Sequence, residues 1–278
     1  MTLANHKPGV QRRAVFAILL ALLAGAFALQ IAQPATAATS TTVIVSGNTA
    51  AGVNQPGWMF NRDPGNTTPY AFNSAAASIG VGSLNVLPIG ANPADKFIGE
   101  FFMLSPLANV QSISYDFKIG AGGSAADAGQ FYMNVYANFG SSSPIKFYDC
   151  RYDVVASVGS TGAFTTVTFN PNTAYPVLTR NSSPVQPCPA VPAAMGPGAT
   201  LRAFALNVGD TSASDAGLDG YLDNVVVALT AGTTVYDFEP VVTTKDECKN
   251  GGWANVVRAD GTAFKNQGDC VSYTNNGK

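Results

Sequence analysis

The chain has 278 residues, a formal net charge of −2 and charged residues at 12% of the total. The sequence has no cluster of Lys and Arg of the kind that binds nucleic-acid phosphates, which argues against a nucleic-acid partner. The one histidine, His6, lies in a segment that we expect to be removed, and this excludes Ser-His-Asp and Cys-His catalysis in the mature chain.

Residues 1–37 are predicted to be an export signal. Three basic residues precede an apolar run over 14–32, and small residues at 35–37 suit a cleavage site. The mature chain would then begin at Ala38 and be secreted to the extracellular space, with no membrane association after cleavage. The alternative is that the apolar run is retained as an anchor, because it is nearly long enough to span a bilayer.

Short segments of alternating polarity, divided by Gly, Pro, Asn and Ser clusters, continue to about residue 240 without a helical period. They predict an all-β domain over 38–240, a jelly-roll-like two-sheet β-sandwich. The predicted strands are Thr42–Ser46, Ser83–Leu87, Phe97–Met103, Val110–Ile119, Gln130–Asn138, Cys150–Ala156, Phe164–Asn170, Leu201–Val208, Leu218–Leu229 and Thr233–Phe238. The Pro-rich stretch 171–197 is predicted to be a surface loop, since proline cannot donate to a central ladder.

Period-2 alternation assigns faces to two of these strands. In Val110–Ile119 it predicts a buried face with Ile113, Tyr115, Phe117 and Ile119, and a wet face with Ser112, Ser114, Asp116 and Lys118. In Gln130–Asn138 the side chains that alternate from Phe131 to Ala137 are predicted to point inward. The outward set is then Tyr132, Asn134, Tyr136 and Asn138.

This outward set is the candidate ligand-binding site. Aromatic faces stack on sugar rings, and amides hydrogen-bond with hydroxyl groups. The alternative is that the four side chains form cross-strand pairs covered by a loop.

Carboxylates that could serve a glycosidase occur on or beside central strands. They are Glu100, Asp116, Asp149 and Asp153. Aspartates scattered over a β surface are usually solvating residues, so no catalytic residue is predicted.

The four cysteines show no C-x-x-C pair, and without histidine they have no zinc-type spacing, so two disulfides are predicted. Proximity favours Cys150–Cys188 and Cys248–Cys270, although four cysteines allow three pairings.

The composition changes after Pro240. We predict a linker over 241–244 and a separate tail over 245–278, which is too small to fold on an apolar core alone. The disulfide would clamp two short helical turns, Asp246–Trp253 and Phe264–Tyr273. It would also hold a small apolar cluster of Trp253, Phe264, Val271 and Tyr273.

The tail pattern CKNGGW at 248–253 followed by FKNQGDCVSY at 264–273 resembles a C-terminal tail that recurs on secreted bacterial proteins. The segments 57–63, 219–225 and 234–240 are similar to parts of the jelly-roll-like domain that often precedes this tail. The resemblance implies a secreted β-sandwich and brings no activity with it.

A structural calcium is the one cofactor that these patterns suggest. The acid-rich run 210–223 could supply oxygen ligands, although it lacks EF-hand spacing because Asp215 occupies the position that requires glycine. Jelly-roll carbohydrate modules often hold calcium near the terminal strand, so the resemblance implies Asp223 with a partner such as Asp63.

These observations predict a secreted, non-enzymatic protein that recognises a polysaccharide or cell-surface component. The alternatives are a secreted glycan-active enzyme, either a glycoside hydrolase or a lyase, and a structural envelope or matrix protein. Converging carboxylates in a cleft would favour the enzyme, and an aromatic platform on one sheet would favour binding.

Overall fold

The computed structural model describes residues 39–46, 57–61, 68–92, 95–142, 147–179, 186–210 and 215–276. The predicted export signal, 1–37, and Asp63 lie outside these residues. Within them the chain forms two β-sheets that pack face to face, which confirms the predicted β-sandwich.

Thirteen strands and one α-helix organise the described residues. The strands are β1 (Thr39–Val45), β2 (Trp58–Phe60), β3 (Tyr70–Asn73), β4 (Ser83–Val86), β5 (Phe97–Pro106), β6 (Val110–Ile119), β7 (Phe131–Asn138), β8 (Cys150–Val155), β9 (Thr165–Phe169), β10 (Val177–Thr179), β11 (Thr200–Val208), β12 (Gly220–Leu229) and β13 (Gly232–Phe238). The helix is α1 (Gln267–Asn276). The short 3₁₀ turns are Leu107–Asn109, Ala125–Gln130, Pro192–Met195 and Gly252–Asn255.

The seven-stranded sheet is built around β12. One edge of β12 pairs with β6, which in turn pairs with β9. The other edge pairs with β4 over Gly220–Leu222 and with β13 over Val225–Leu229. Beyond them, β3 pairs with β4, and β1 pairs with β13. A register irregularity lies between Asp223 and Val226, where the partner of β12 changes. Asp223 therefore stands at a split in the sheet.

The six-stranded sheet has the order β10-β8-β7-β11-β5-β2, with antiparallel neighbours throughout. Its edge strand β10 lies in the Pro-rich stretch that was predicted to be a surface loop. An edge position is compatible with the surrounding prolines because one side of the strand needs no partner.

Aromatic side chains fill the space between the sheets. Trp58 is fully buried, and its ring centroid lies 5.2 Å from those of Phe101 and Phe238 and 5.7 Å from that of Phe204. Buried rings of this size contribute most of the apolar area that stabilises such a core. The predicted inward residues of β6, from Ile113 to Ile119, are all buried as expected.

Both predicted disulfides are present. Cys150 and Cys188 have a Cα separation of 5.8 Å, and their bond ties the Pro-rich stretch to the start of β8. Cys248 and Cys270 have a Cα separation of 5.7 Å.

The tail has an apolar cluster of its own. Its buried members are Val242, Cys248, Phe264 and Cys270, with Trp253, Val256, Val271 and Tyr273 packed around them. Val241 forms a β-bridge with Val257, and the Val242 N–H donates to the Val257 carbonyl at 3.0 Å. Part of the predicted linker thus contributes to the packing of the tail. The division into 38–240 and 245–278 stays a prediction.

Candidate functional site

The best candidate surface is the face of the six-stranded sheet that points away from the core, here called the outer face. On β5, β11, β7 and β8, alternate side chains enter the core, and the side chains between them point outward. The outward positions include Glu100, Phe102, Tyr132, Asn134, Tyr136, Asn138, Arg151, Asp153, Ala203 and Asn207.

The four residues predicted as the ligand-binding site lie on this outer face. However, Asn134 and Asn138 are each 3% exposed and Tyr136 is 7% exposed, so these three point away from the core but are covered, as in the alternative that the sequence left open. Tyr132 is half-buried. Burial raises its pKa to about 12, which keeps the phenol neutral at ordinary pH. The role of these residues in ligand binding stays a prediction.

Tyr136 is buried because two rings from the segment after β7 pack against it. The ring centroids of Phe147 and Tyr148 each lie 5.1 Å from that of Tyr136. Phe102, from β5, lies 5.8 Å from Phe147. We call Phe102, Tyr136, Phe147 and Tyr148 the aromatic group. Its members other than Tyr136 are only partly buried, so the group presents ring surface to solvent.

Polar side chains next to the aromatic group hold one another. The Asn134 amide donates to Asp153 at 2.7 Å, and the Asn207 amide donates to Asn134 at 3.0 Å. The Arg151 guanidinium forms a two-bond contact with Asp153, at 2.9 and 3.1 Å. Each of these side chains is therefore oriented by a neighbour, which fixes the hydrogen-bonding groups of the face in position.

A pocket of about 330 Å³ opens beside the aromatic group. It is lined by Phe102, Met103, Leu104, Phe147 and Arg202. Its volume lies at the lower end of the range for small-ligand sites, and its walls are largely apolar. Leu104 is 72% exposed, which is unusual for a leucine side chain.

A larger groove of about 580 Å³ runs between the edges of β8 and β9. Its lining includes Asp153, Val155, Val158, Thr166 and Tyr175. Asp153 is the one charged residue that lines it. Asp153 is paired with Arg151, and no second carboxyl group lines the groove among the described residues.

The carboxylates weighed for glycosidase chemistry do not converge. Glu100 and Asp153 share the outer face, but three strand spacings separate them, about 14 Å between backbones. Glycosidase carboxyl groups lie about 5–9.5 Å apart. Asp149 is fully buried, where it accepts bonds from the Phe139 N–H and the Ser142 hydroxyl.

Asp116 lies on the other sheet. It was predicted to be on a wet face, but it is only 7% exposed, so that prediction is wrong. The hydroxyls of Ser78 and Thr166 and the amide of Asn224 donate to its carboxylate. The segment that contains Ser78 covers this part of the seven-stranded sheet, which explains the burial.

The same segment covers three further carboxylates, those of Asp223, Asp237 and Glu239. Burial is the main reason that their pKa values are raised, to about 7 for Asp223, about 6 for Asp237 and about 7 for Glu239. One oxygen of Asp237 and one of Glu239 are buried without a hydrogen-bond partner. We call these three residues the buried acidic group.

Asp223 was predicted to help hold calcium. Its Oδ2 accepts the N–H groups of Ser78 at 2.8 Å and Ile79 at 3.1 Å, and its Oδ1 accepts the Phe238 N–H at 3.3 Å. Oxygens that face N–H donors are poorly placed to coordinate a cation. In the part of the chain that the structure describes, no group of three or more His, Cys, Asp or Glu residues is arranged to hold a metal ion. Calcium binding stays a prediction.

Sequence reasoning missed Phe102, Phe147, Tyr148 and Arg202. Phe147 and Tyr148 lie outside the strands, where periodicity assigns no face. Arg202 lies between the core residues Leu201 and Phe204, so alternation counted from Phe204 places it inside and alternation counted from Leu201 places it outside. An irregularity in the ladder, described below, places it outside.

No family model matches the chain, and no curated protein matches it. Among solved structures, the chain is similar to TmCBM61 in complex with beta-1,4-galactotriose, at 10% identity and a TM-score of 0.30, over 64% of this chain and 97% of that one. It is also similar to the glycoside hydrolase domain of Endo-D from Streptococcus pneumoniae R6, at 14% identity and a TM-score of 0.32, over 62% of this chain and 21% of that one. At these TM-scores neither likeness bears on what the chain does.

No helix within the described ranges has the length and apolar character needed to cross a membrane.

Proposed function

We propose that the chain is a secreted, non-enzymatic protein that binds a polysaccharide or cell-surface glycan through the outer face of the six-stranded sheet. The observation that supports this most is the aromatic group beside a row of mutually held amides and charges. Both disulfides are of the kind that persists in an oxidising extracellular environment, which supports secretion.

The chemistry of the outer face suits a sugar chain. A pyranose ring presents a C–H face that packs on an aromatic ring, while its equatorial hydroxyls require donors and acceptors at the edge of that ring. Phe102 and Phe147 supply ring surface, and the partly exposed Arg151 and Asp153 lie on the same face. Because the polar side chains already hold one another, little side-chain entropy is lost on binding.

The enzyme alternative is less well supported. The backbones of Glu100 and Asp153 lie about 14 Å apart across three strand spacings, and Asp153 is paired with Arg151 at 2.9 Å. A glycan that binds the outer face would therefore be released unchanged.

The test is binding of the purified mature chain to a glycan array, with and without calcium, followed by affinity measurement on the best polymer. Phe147→Ala should weaken that affinity about tenfold or more, because partly buried aromatic side chains dominate such contacts. Tyr221→Ala is the matched control, since Tyr221 is a half-buried aromatic residue of β12, in the other sheet. Equal losses in the two variants, or no glycan bound at all, would refute the proposal.

A further inference from the structure

Arg202 is placed on the outer face by an irregular stretch of the ladder. Leu201 and Ala203 mark two rungs that β11 shares with both of its neighbours. Between those rungs β7 contributes no extra residue, β11 contributes Arg202, and β5 contributes Met103 and Leu104. Such bulges redirect side chains and are frequent beside functional sites.

The redirected side chains form the pocket of about 330 Å³. Met103, Leu104 and Arg202 line it together with Phe102 and Phe147 of the aromatic group. The bulge and the pocket are therefore one feature, in which apolar and aromatic walls surround a single cation.

The charge of Arg202 is uncompensated, in contrast to the other charges of the outer face. Among the described residues, its guanidinium forms no ion pair, hydrogen bond or cation–π contact. Arg151 is neutralised by Asp153 on the same face. Glu100 is 7% exposed and has a partner. Among the described residues of the outer face, Arg202 consequently carries a free positive charge, at the edge of the ring surface.

A half-buried arginine with apolar walls favours an anionic group as its partner. The guanidinium has a planar fork of donors that matches a carboxylate or a sulfate ester, and it is weakly hydrated for a cation. A neutral sugar would leave the charge without a counter-charge in the pocket.

We infer that the glycan bound by this chain is an acidic polysaccharide, whose sugar ring packs on Phe102 and Phe147 while its anionic substituent accepts hydrogen bonds from Arg202. The inference rests on the proposed function and specifies the class of ligand. A carboxylate, as in a uronic acid, and a sulfate ester share the required chemistry.

The probes are polygalacturonate, its methyl-esterified form and a sulfated galactan. Methyl esterification keeps the polygalacturonate backbone and removes the charge, so the first two probes differ in the anionic group alone. We expect one of the charged polymers to bind at least tenfold more tightly than the methyl ester. Preference for polygalacturonate identifies a carboxylate, and preference for the galactan identifies a sulfate ester.

Three variants assign the effect to Arg202. Arg202→Gln should reduce affinity for the preferred charged polymer about tenfold or more and leave affinity for the methyl ester unchanged. Arg202→Lys should recover only part of the loss, because lysine keeps the charge and lacks the planar fork. Lys118→Gln makes the same change in net charge from a position on β6, in the other sheet, and should have no effect.

The outcomes separate this inference from the proposed function. If the array finds a neutral glycan whose binding depends on Phe147, and the charged polymers bind no better than the methyl ester, the inference fails and the proposed function stands. If no glycan binds, both fail. Equal losses of affinity from Arg202→Gln and Lys118→Gln would mean that binding depends on net charge alone, which would also overturn the inference.

Discussion

The two sheets of the sandwich use their outward side chains in different ways. On the six-stranded sheet, the polar side chains pair with one another and the aromatic group presents ring surface to solvent. On the seven-stranded sheet, the segment around Ser78 covers the outward carboxylates, which accept its backbone N–H groups. One face presents ring surface to solvent, and the other is closed by the chain itself.

The difference originates in the split of the seven-stranded sheet. Regular pairing is interrupted at the point where the neighbour of β12 changes from β4 to β13. Backbone N–H groups at such an interruption need another acceptor, because a buried N–H group without one lowers stability. Asp223 lies at this point and accepts from Ser78, Ile79 and Phe238. In the six-stranded sheet, β11 keeps the same two neighbours on both sides of its bulge, so no exchange of partners occurs there. Asp153, which pairs with side chains, and Asp223, which accepts backbone N–H groups, thus have different tasks.

The largest effect expected from this comparison is that of Asp223→Ala on stability. The substitution leaves three backbone N–H groups without their acceptor, at roughly 1–3 kcal/mol for each buried donor. We expect a loss of about 4 kcal/mol or more, which lowers the unfolding midpoint by roughly 8–16 °C in a domain of this size. Thermal unfolding at pH 5.5, below the pKa values of the buried acidic group, is the measurement.

Asp219→Ala is the control for that prediction. Asp219 is half-exposed just before β12, and it accepts a single exposed N–H group, that of Gly122, at 2.7 Å. We expect this variant to lower the midpoint by about 2–4 °C. Equal midpoints for the two variants would mean that Asp223 does not hold the covering segment.

A smaller effect is expected from pH. The buried acidic group has pKa values of about 6 to 7 in the folded chain, against 3.8 for Asp and 4.5 for Glu in the unfolded reference. Between these values the folded state binds more protons than the unfolded state, so stability falls as pH rises from about 4 to 7 and is level above that. Each proton that the folded state alone holds between pH 5 and pH 6.5 corresponds to about 2 kcal/mol.

Midpoints of urea unfolding at pH 5 and pH 7.5 measure this dependence. Asp237→Asn should flatten it, because the substitution removes one ionisable group and its repulsion of Glu239. Asp153→Asn, on the other sheet, should leave the slope unchanged. A stability that rises between pH 5 and pH 7.5 would contradict the burial of three uncompensated carboxylates. A bound cation would produce such a rise, so the measurement with and without calcium also tests the predicted calcium.

The strands could be predicted from the sequence because nearly every one has an alternating apolar side that reaches the core. The prediction for Val110–Ile119 coincides with β6, and Cys150–Ala156 differs from β8 by one residue. The strands that were not predicted are β2, β3 and β10, which have only three or four residues each. Segments this short contain too few alternations to show a period.

The candidate site was only half predictable. Alternation correctly placed Tyr136 on the side of β7 that faces away from the core, but it could not show that Phe147 and Tyr148 pack over it. It also could not place Arg202, because a bulge changes the face of a side chain without any change in local composition. Side-chain direction within a regular strand is a local property, whereas cover and bulges depend on distant segments.

The smallest effect on stability is expected from Leu104→Gln, which tests whether the outer face of the six-stranded sheet is open. Leu104 is 72% exposed, so the folded chain gains little from burying it, and an amide of similar size should change stability by less than about 0.5 kcal/mol. The thermal midpoint should therefore shift by less than about 2 °C.

Binding should respond more strongly than stability in the Leu104→Gln variant. We expect affinity for the best glycan to fall about threefold, because Leu104 lines the pocket beside Arg202 and a polar wall weakens the contact with a sugar ring. Val158→Gln is the matched control: Val158 is 67% exposed and lies outside that pocket, so both midpoint and affinity should be unchanged. A fall of 5 °C or more in the Leu104 variant alone would show that this leucine is covered, and the contrast between an open and a closed face would then be wrong.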